Sequence, residues 1–146
     1  MNTVPASLQR VMCVEDDADI RMILDFSLAS VGGYEVCSCA GGLEAVRMAP
    51  QFKPELVLLD VMMPDLSGPE TLAALRALPC MAGVPVVFLT AKAMPDELEQ
   101  LLQHGATGLI VKPFDPMTLP QDIRPYWEFG RHGAALNPEG APDAQP

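Results

Sequence analysis

Basic residues are scarce in this chain. Nine Lys plus Arg stand against nineteen Asp plus Glu, a formal net charge of −10 over 146 residues. A surface of that sign repels phosphate backbones and acidic membrane surfaces alike. The shortage argues against sequence-independent nucleic-acid binding and against a membrane role. Long apolar runs are also missing, since the longest, at residues 84–89, is far shorter than the roughly 18 residues a membrane span needs. The first ten residues lack the charged start and apolar stretch of a secretory signal. Cysteine is limited to Cys13, Cys37, Cys39 and Cys80, with no C-x2-C pair. Three of the four lie in apolar, strand-like runs, so they read as structural thiols rather than as metal or redox ligands. A cytoplasmic protein in a reducing compartment is expected. There is no internal repeat, and the length leaves no room for a second large domain.

What is abundant is apolar residue of core type, 49% of the chain. A domain of this size buries roughly 70% of the surface its unfolded form exposes, so a core needs no disulfide or structural metal. Apolar runs of strand length alternate with segments of helical period, the pattern of a parallel sheet covered by helices. Strands are expected at residues 11–14, 34–39, 56–59, 84–89 and 109–111. A first helix carries Ile20, Ile23, Leu24, Leu28 and Val31 on one face and ends at Gly32-Gly33. A short second helix, residues 43–48, is expected to close at Pro50. Ser67 and Glu70 form a capping-box pair with Pro69 in the first turn, and Leu72, Leu75 and Leu78 follow as its buried stripe. Pro95, Asp96 and Glu97 open a fourth helix that stops at Gly105. The last helix is expected from about Pro120, kinked or shortened at Pro125, with Trp127 and Phe129 packing inward. Residues 1–8 read as an extension, 9–129 as the domain and 130–146 as a disordered tail.

In a doubly wound sheet, ligands bind beyond the carboxyl ends of the strands, so the informative residues follow each apolar run. Here these are Glu15 and Asp16, then Asp60, Thr90 and Lys112. Three carboxylates and one ammonium sum to −2, and crowded carboxylates either take up protons or take up a cation. A hard divalent cation with oxygen ligands, Mg²⁺ or another such as Mn²⁺, suits that set and leaves positions open for a phosphate. A hydroxyl and a lysine beside it suit phosphoryl oxygens, with Asp60 as the candidate nucleophile.

Four segments in order carry a resemblance: Val14-Glu15-Asp16-Asp17, the run from Leu58 through Asp60 to Pro64-Asp65 with Gly68, Phe88-Leu89-Thr90-Ala91-Lys92, and Lys112-Pro113-Phe114. In these the chain resembles the receiver domain of two-component response regulators, of the stand-alone, chemotaxis-regulator kind. The resemblance implies a flavodoxin-like α/β fold, a five-stranded parallel sheet of order 2-1-3-4-5 flanked by five helices; this is the order that also describes the chemotaxis relative used as the standard example of the rule. It implies phosphorylation of Asp60 by a phosphohistidine on a sensor histidine kinase or histidine phosphotransfer protein. Asp16 and Asp60 would ligate the metal, Glu15 would act through water, and Met62 would offer its backbone carbonyl. Thr90 would bind a phosphoryl oxygen and Lys112 would pair with the group, with the Lys112–Pro113 bond cis. Three acids stand in a row; the metal pair is placed at Glu15-Asp16 because Ile20 and Arg21 then fall where the family's first helix expects them, which leaves Asp17 to start the helix. One position departs: the family's switch aromatic, three residues before the lysine, is Leu109 here.

Each residue alone has an ordinary explanation. The acids at 15–17 suit a helix N-terminus, Thr90 could be a strand-end hydroxyl, Lys112 a solvated charge, and the methionines packing. His104 and His132 read as surface residues, and Lys92 as a residue of the pocket rim. Taken jointly, the expected function is a single-domain response regulator of a two-component or phosphorelay system. It would not be an enzyme beyond its own phosphotransfer and dephosphorylation. It would signal through a downstream protein, bind neither nucleic acid nor membrane, and be a monomer or a phosphorylation-dependent dimer. The alternatives are a scaffold with degraded switching, the receiver of a hybrid kinase, and an aspartyl-phosphate phosphatase; the last needs a second Asp where Met62 stands.

Overall fold

The computed structural model describes residues 7–91 and 94–130. Five parallel strands, β1 Arg10–Val14, β2 Glu35–Cys39, β3 Leu56–Asp60, β4 Val86–Thr90 and β5 Gly108–Val111, form one sheet of order 2-1-3-4-5. The three central strands are buried on both faces, which is why they read as continuous apolar runs. One face packs Leu24, Leu28, Leu58, Leu89 and Trp127 against the sheet; the other packs Met12, Leu59, Leu72, Phe88 and Leu101. Among the described residues no helix is long and apolar enough to cross a membrane.

Asp17 opens α1 (Ala18–Asp25), its side chain accepting from the Asp19 and Ile20 amides. The helix runs to Gly32, as its pattern predicts, but residues Phe26–Val31 wind as a π-helix. That added turn width shifts the register. Leu24 and Leu28 are buried, whereas Ile23 and Val31, expected on the same face, are exposed. Pro50 does not close α2, which spans Gly42–Phe52. In the last turn the ring removes one hydrogen bond, buried Ala45 and Ala49 hold the helix down, and Lys53 ends it in the left-handed region. The capping box forms as expected at α3 (Gly68–Arg76), but Leu78 lies beyond that helix and is only half-buried. A short 3₁₀ turn, Pro79–Met81, leads into β4.

Helix α4 covers Pro95–Gln103, and Gly105 follows it at φ +100°. The last helical segment splits into α5 (Leu119–Asp122) and α6 (Arg124–Gly130), the division falling one residue before Pro125. Two side chains from the far end of the chain hold this segment: the Ser27 hydroxyl donates to the Pro116 carbonyl at 2.6 Å and the Tyr34 hydroxyl to the Pro120 carbonyl at 3.0 Å. Gly32 lies against Pro120, where a Cβ would come within 2.8 Å of the ring. All four cysteines are free; Cys13 and Cys39 are buried, Cys37 and Cys80 half-buried. The expected tail and His132 fall outside the described residues.

Candidate functional site

The carboxyl edge of the sheet gathers the residues that the apolar runs end on. β1 delivers Glu15, which is 1% exposed, and the loop after it leaves Asp16 in solvent. β3 ends on Asp60 and β4 on Thr90, both buried. Register places Thr90 beside Val111, and the Lys112 amide donates to the Thr90 carbonyl at 2.7 Å, so both residues share one stretch of sheet. The Lys112–Pro113 peptide is cis. With Val61, Met62 and Ala91 these side chains line a cleft of about 270 Å³.

Charge within the cleft is unbalanced. The Lys112 ammonium lies 2.9 Å from Glu15 Oε1 and 2.9 Å from Asp60 Oδ1. One oxygen each from Glu15, Asp16 and Asp60 lie within 4.8 Å of one another. Three carboxylates around one ammonium leave two negative charges, and the donor set is all oxygen; the chemistry fits a hard divalent cation. Burial pushes the Glu15 carboxyl up, and the charge of Asp60 adds to it, against the pull of Lys112. Burial opposes the Lys112 charge, but hydrogen bonds from both carboxylates outweigh it and hold the ammonium above its usual value.

Glu15 is more fully engaged than expected. One oxygen takes Lys112 and the other accepts the Asp17 amide at 3.1 Å. Lys112 here pairs with carboxylates, the position a phosphoryl group would compete for. Met62 lines the cleft with its side chain 68% exposed. Leu109 is buried on the α4 side of β5, packed with the cluster that holds Phe88 and Leu101. An aromatic does reach β5, but from the opposite face: the Tyr126 hydroxyl donates to the Leu109 carbonyl at 3.1 Å, and its ring fills the space where Gly108 has no side chain. His104 caps α4 in solvent, and Lys92 lies outside the described residues.

Two residues escaped the sequence reading. Arg21 donates one guanidinium nitrogen to the Glu15 carbonyl at 2.7 Å and the Asp16 carbonyl at 3.3 Å, clamping the acidic loop from α1. The residue itself is a cue, an arginine one turn into the helix that follows the acids. Asp65 accepts from the Gly42 and Leu43 amides, and these bonds hold its carboxyl below the usual carboxylate range. Its partners lie more than twenty residues back in the chain, so no local pattern announces them.

The family profile for the response regulator receiver domain matches residues 11–124. The chain belongs to the response regulator receiver domain family. It is 39% identical over 116 residues to the probable transcriptional regulator ycf27 of Porphyridium aerugineum, a match covering 80% of this chain and 47% of that protein. The DNA-binding response regulator MtrA of Mycobacterium tuberculosis is 35% identical over 80% of this chain and 49% of its own length. This receiver domain therefore spans about half the length of the curated relatives it matches. Chemotaxis protein CheY4 of Vibrio cholerae shares the fold at a TM-score of 0.74 with 32% identity, over 80% of this chain and 97% of that one. The receiver domain of a sensor histidine kinase from Pseudomonas aeruginosa, with a magnesium ion coordinated in its active-site cleft, matches at 0.74 with 30% identity, over 84% and 99%. The acidic cleft of the receiver described here is compatible with Mg²⁺ and phosphorylation.

Proposed function

We propose that this receiver accepts a phosphoryl group on Asp60 from a phosphohistidine and passes the signal on by binding another protein. The observation that carries the reading is the buried Asp60 carboxylate in an acidic cleft, one oxygen held by Lys112 at 2.9 Å. With Oδ1 so engaged, Oδ2 attacks phosphorus; an O–P bond forms, the N–P bond of the phosphoimidazole breaks, and the electron pair leaves on the imidazole nitrogen. Glu15, Asp16, Asp60 and the Met62 carbonyl would hold Mg²⁺, or Mn²⁺ in its place. When bound, the cation supplies neutralisation of charge developing on the phosphoryl oxygens. Lys112 would exchange its carboxylate partners for the incoming phosphoryl oxygens, and Thr90, buried at the strand end, would meet another.

A donor protein must cover the rim of the cleft to bring its imidazole to Asp60. Ile20, Ile23, Pro113 and Phe114 give that rim an apolar side, which favours a histidine-bearing protein as donor over a free small molecule. The domain would act in the cytoplasm and catalyse nothing beyond its own phosphotransfer and dephosphorylation. Net charge disfavours direct contact of this domain with nucleic acid; the DNA binding named for the relatives is a property of those longer proteins.

Incubation with acetyl phosphate and Mg²⁺, followed by intact mass, tests the reading. The expected result is one added phosphoryl group, lost in Asp60→Asn and suppressed by chelation. A wild-type chain that stays unmodified, both here and with a phosphorylated histidine donor, refutes it.

A further inference from the structure

The loop that carries Met62 over the cleft leaves β3 at Asp60 and reaches α3 at Gly68. Its neck is closed, because the Gly68 amide donates to the Val61 carbonyl at 2.7 Å. Gly68 is required by proximity: a Cβ there would stand 2.8 Å from the Asp60 carbonyl oxygen. The far side of the loop is held by a single side chain. Asp65 Oδ1 accepts the Gly42 amide at 3.3 Å and Oδ2 the Leu43 amide at 3.0 Å.

Those amides are the unpaired donors at the start of α2, and the residue in capping position, Gly41, has no side chain to satisfy them. Asp65 supplies the cap from another part of the chain. The backbone of Gly41, at φ −171°, would admit any residue. A Cβ on it, however, would lie 2.7 Å from Asp65 Oδ2, and the nearest atoms to it all belong to the Asp65 carboxylate. Gly41 and Asp65 are thus the two halves of one contact between α2 and the loop.

We infer that Asp65 is a positioning residue for the metal side of the cleft: by tying the loop to the α2 N-terminus it holds the Met62 backbone in place for a divalent cation. The inference rests on reading the cleft as a Mg²⁺-dependent phosphoacceptor site. Cut loose, the loop keeps its neck but not its direction, and the cation must then order the backbone that it binds.

Calorimetric Mg²⁺ titration of the full chain tests this, together with amide hydrogen exchange at Gly42 and Leu43. Asp65→Ala and Gly41→Ala should each weaken Mg²⁺ binding about tenfold, the low end of what outer-shell partners contribute. Both should speed exchange at the two amides, and the double variant should be no worse than either single one. Asp65→Asn keeps one acceptor oxygen and should fall between wild type and Asp65→Ala. Glu55→Ala is the control for a merely structural role, since Glu55 accepts the Gln9 and Arg10 amides at 2.8 and 2.9 Å in the same manner at the opposite end of the sheet. It should leave Mg²⁺ affinity unchanged. Wild-type Mg²⁺ affinity in Asp65→Ala, with Gly42 and Leu43 exchanging faster, overturns the role of Asp65 alone. A wild-type chain that binds no Mg²⁺ overturns the site reading and the role with it.

Discussion

Replacing Lys112 with methionine keeps most of the side chain's apolar stem and removes the ammonium that two carboxylates share. Those carboxylates are 2% and 8% exposed at the side chain, and Lys112 is 18% exposed, so solvent screens the pair only partly. Two hydrogen bonds between charged groups contribute about 1.5–3 kcal/mol each, or about 3–6 kcal/mol together. Burying the ammonium offsets part of that gain, which leaves a net loss of about 2–4 kcal/mol on removing it. The sign with pH follows from the shifts. Lys112 is held above its usual value, so its contribution is complete at neutral pH and fades only as pH rises past the unfolded value. Glu15 is already raised, and without the ammonium it rises further. The variant's deficit should therefore shrink as acid protonates Glu15, and should also shrink when Mg²⁺ neutralises the cleft. Urea melts of wild type and Lys112→Met at neutral and mildly acidic pH, with chelator or with Mg²⁺, read all of this. Equal stability of the two proteins in chelator at neutral pH refutes the reasoning.

Gly108→Ala places a methyl group inside the ring of Tyr126; overpacking and loss of the bond to the Leu109 carbonyl should destabilise by about 2–4 kcal/mol. Adding Tyr126→Ala to it should do much less harm than that substitution does alone, by denaturant melts. Arg21→Ala removes the clamp on the Glu15 and Asp16 carbonyls, with an expected loss of about 1.5–3 kcal/mol and weaker Mg²⁺ binding by calorimetry. Ser67→Ala breaks the capping box of α3 and should lower stability by about 0.5–2 kcal/mol; circular dichroism melts check it.

The sheet and its order were legible because buried parallel strands must be apolar on both faces, and the strand-end polar residues stand out against them. Asp17 as the opener of α1 was legible as well, from its place after the acid pair. Ile23 and Val31 were misplaced because a π-helical turn leaves no mark in a 3.6-residue pattern. Pro50 misled for a different reason: the cost of a proline depends on how near the helix end it lies, and packing of Ala45 and Ala49 decides that end. Arg21, Asp65 and Tyr126 act on backbone groups rather than on side chains. A carbonyl or an amide has no letter in the sequence, so these three partners could be found only in space.

The prolines of the last helical segment strip it of amide donors yet leave its carbonyls intact, and Ser27 and Tyr34 reach those carbonyls across 89 and 86 positions of chain. This makes the segment a latch that the first third of the protein must already be folded to receive. During synthesis, everything up to β5 can collapse, but one face of the sheet stays uncovered until Pro120 has left the ribosome. A ribosome stall or truncation shortly after Phe114 would thus strand a fully formed acidic cleft on a sheet with an open apolar face, competent in residues and prone to aggregate.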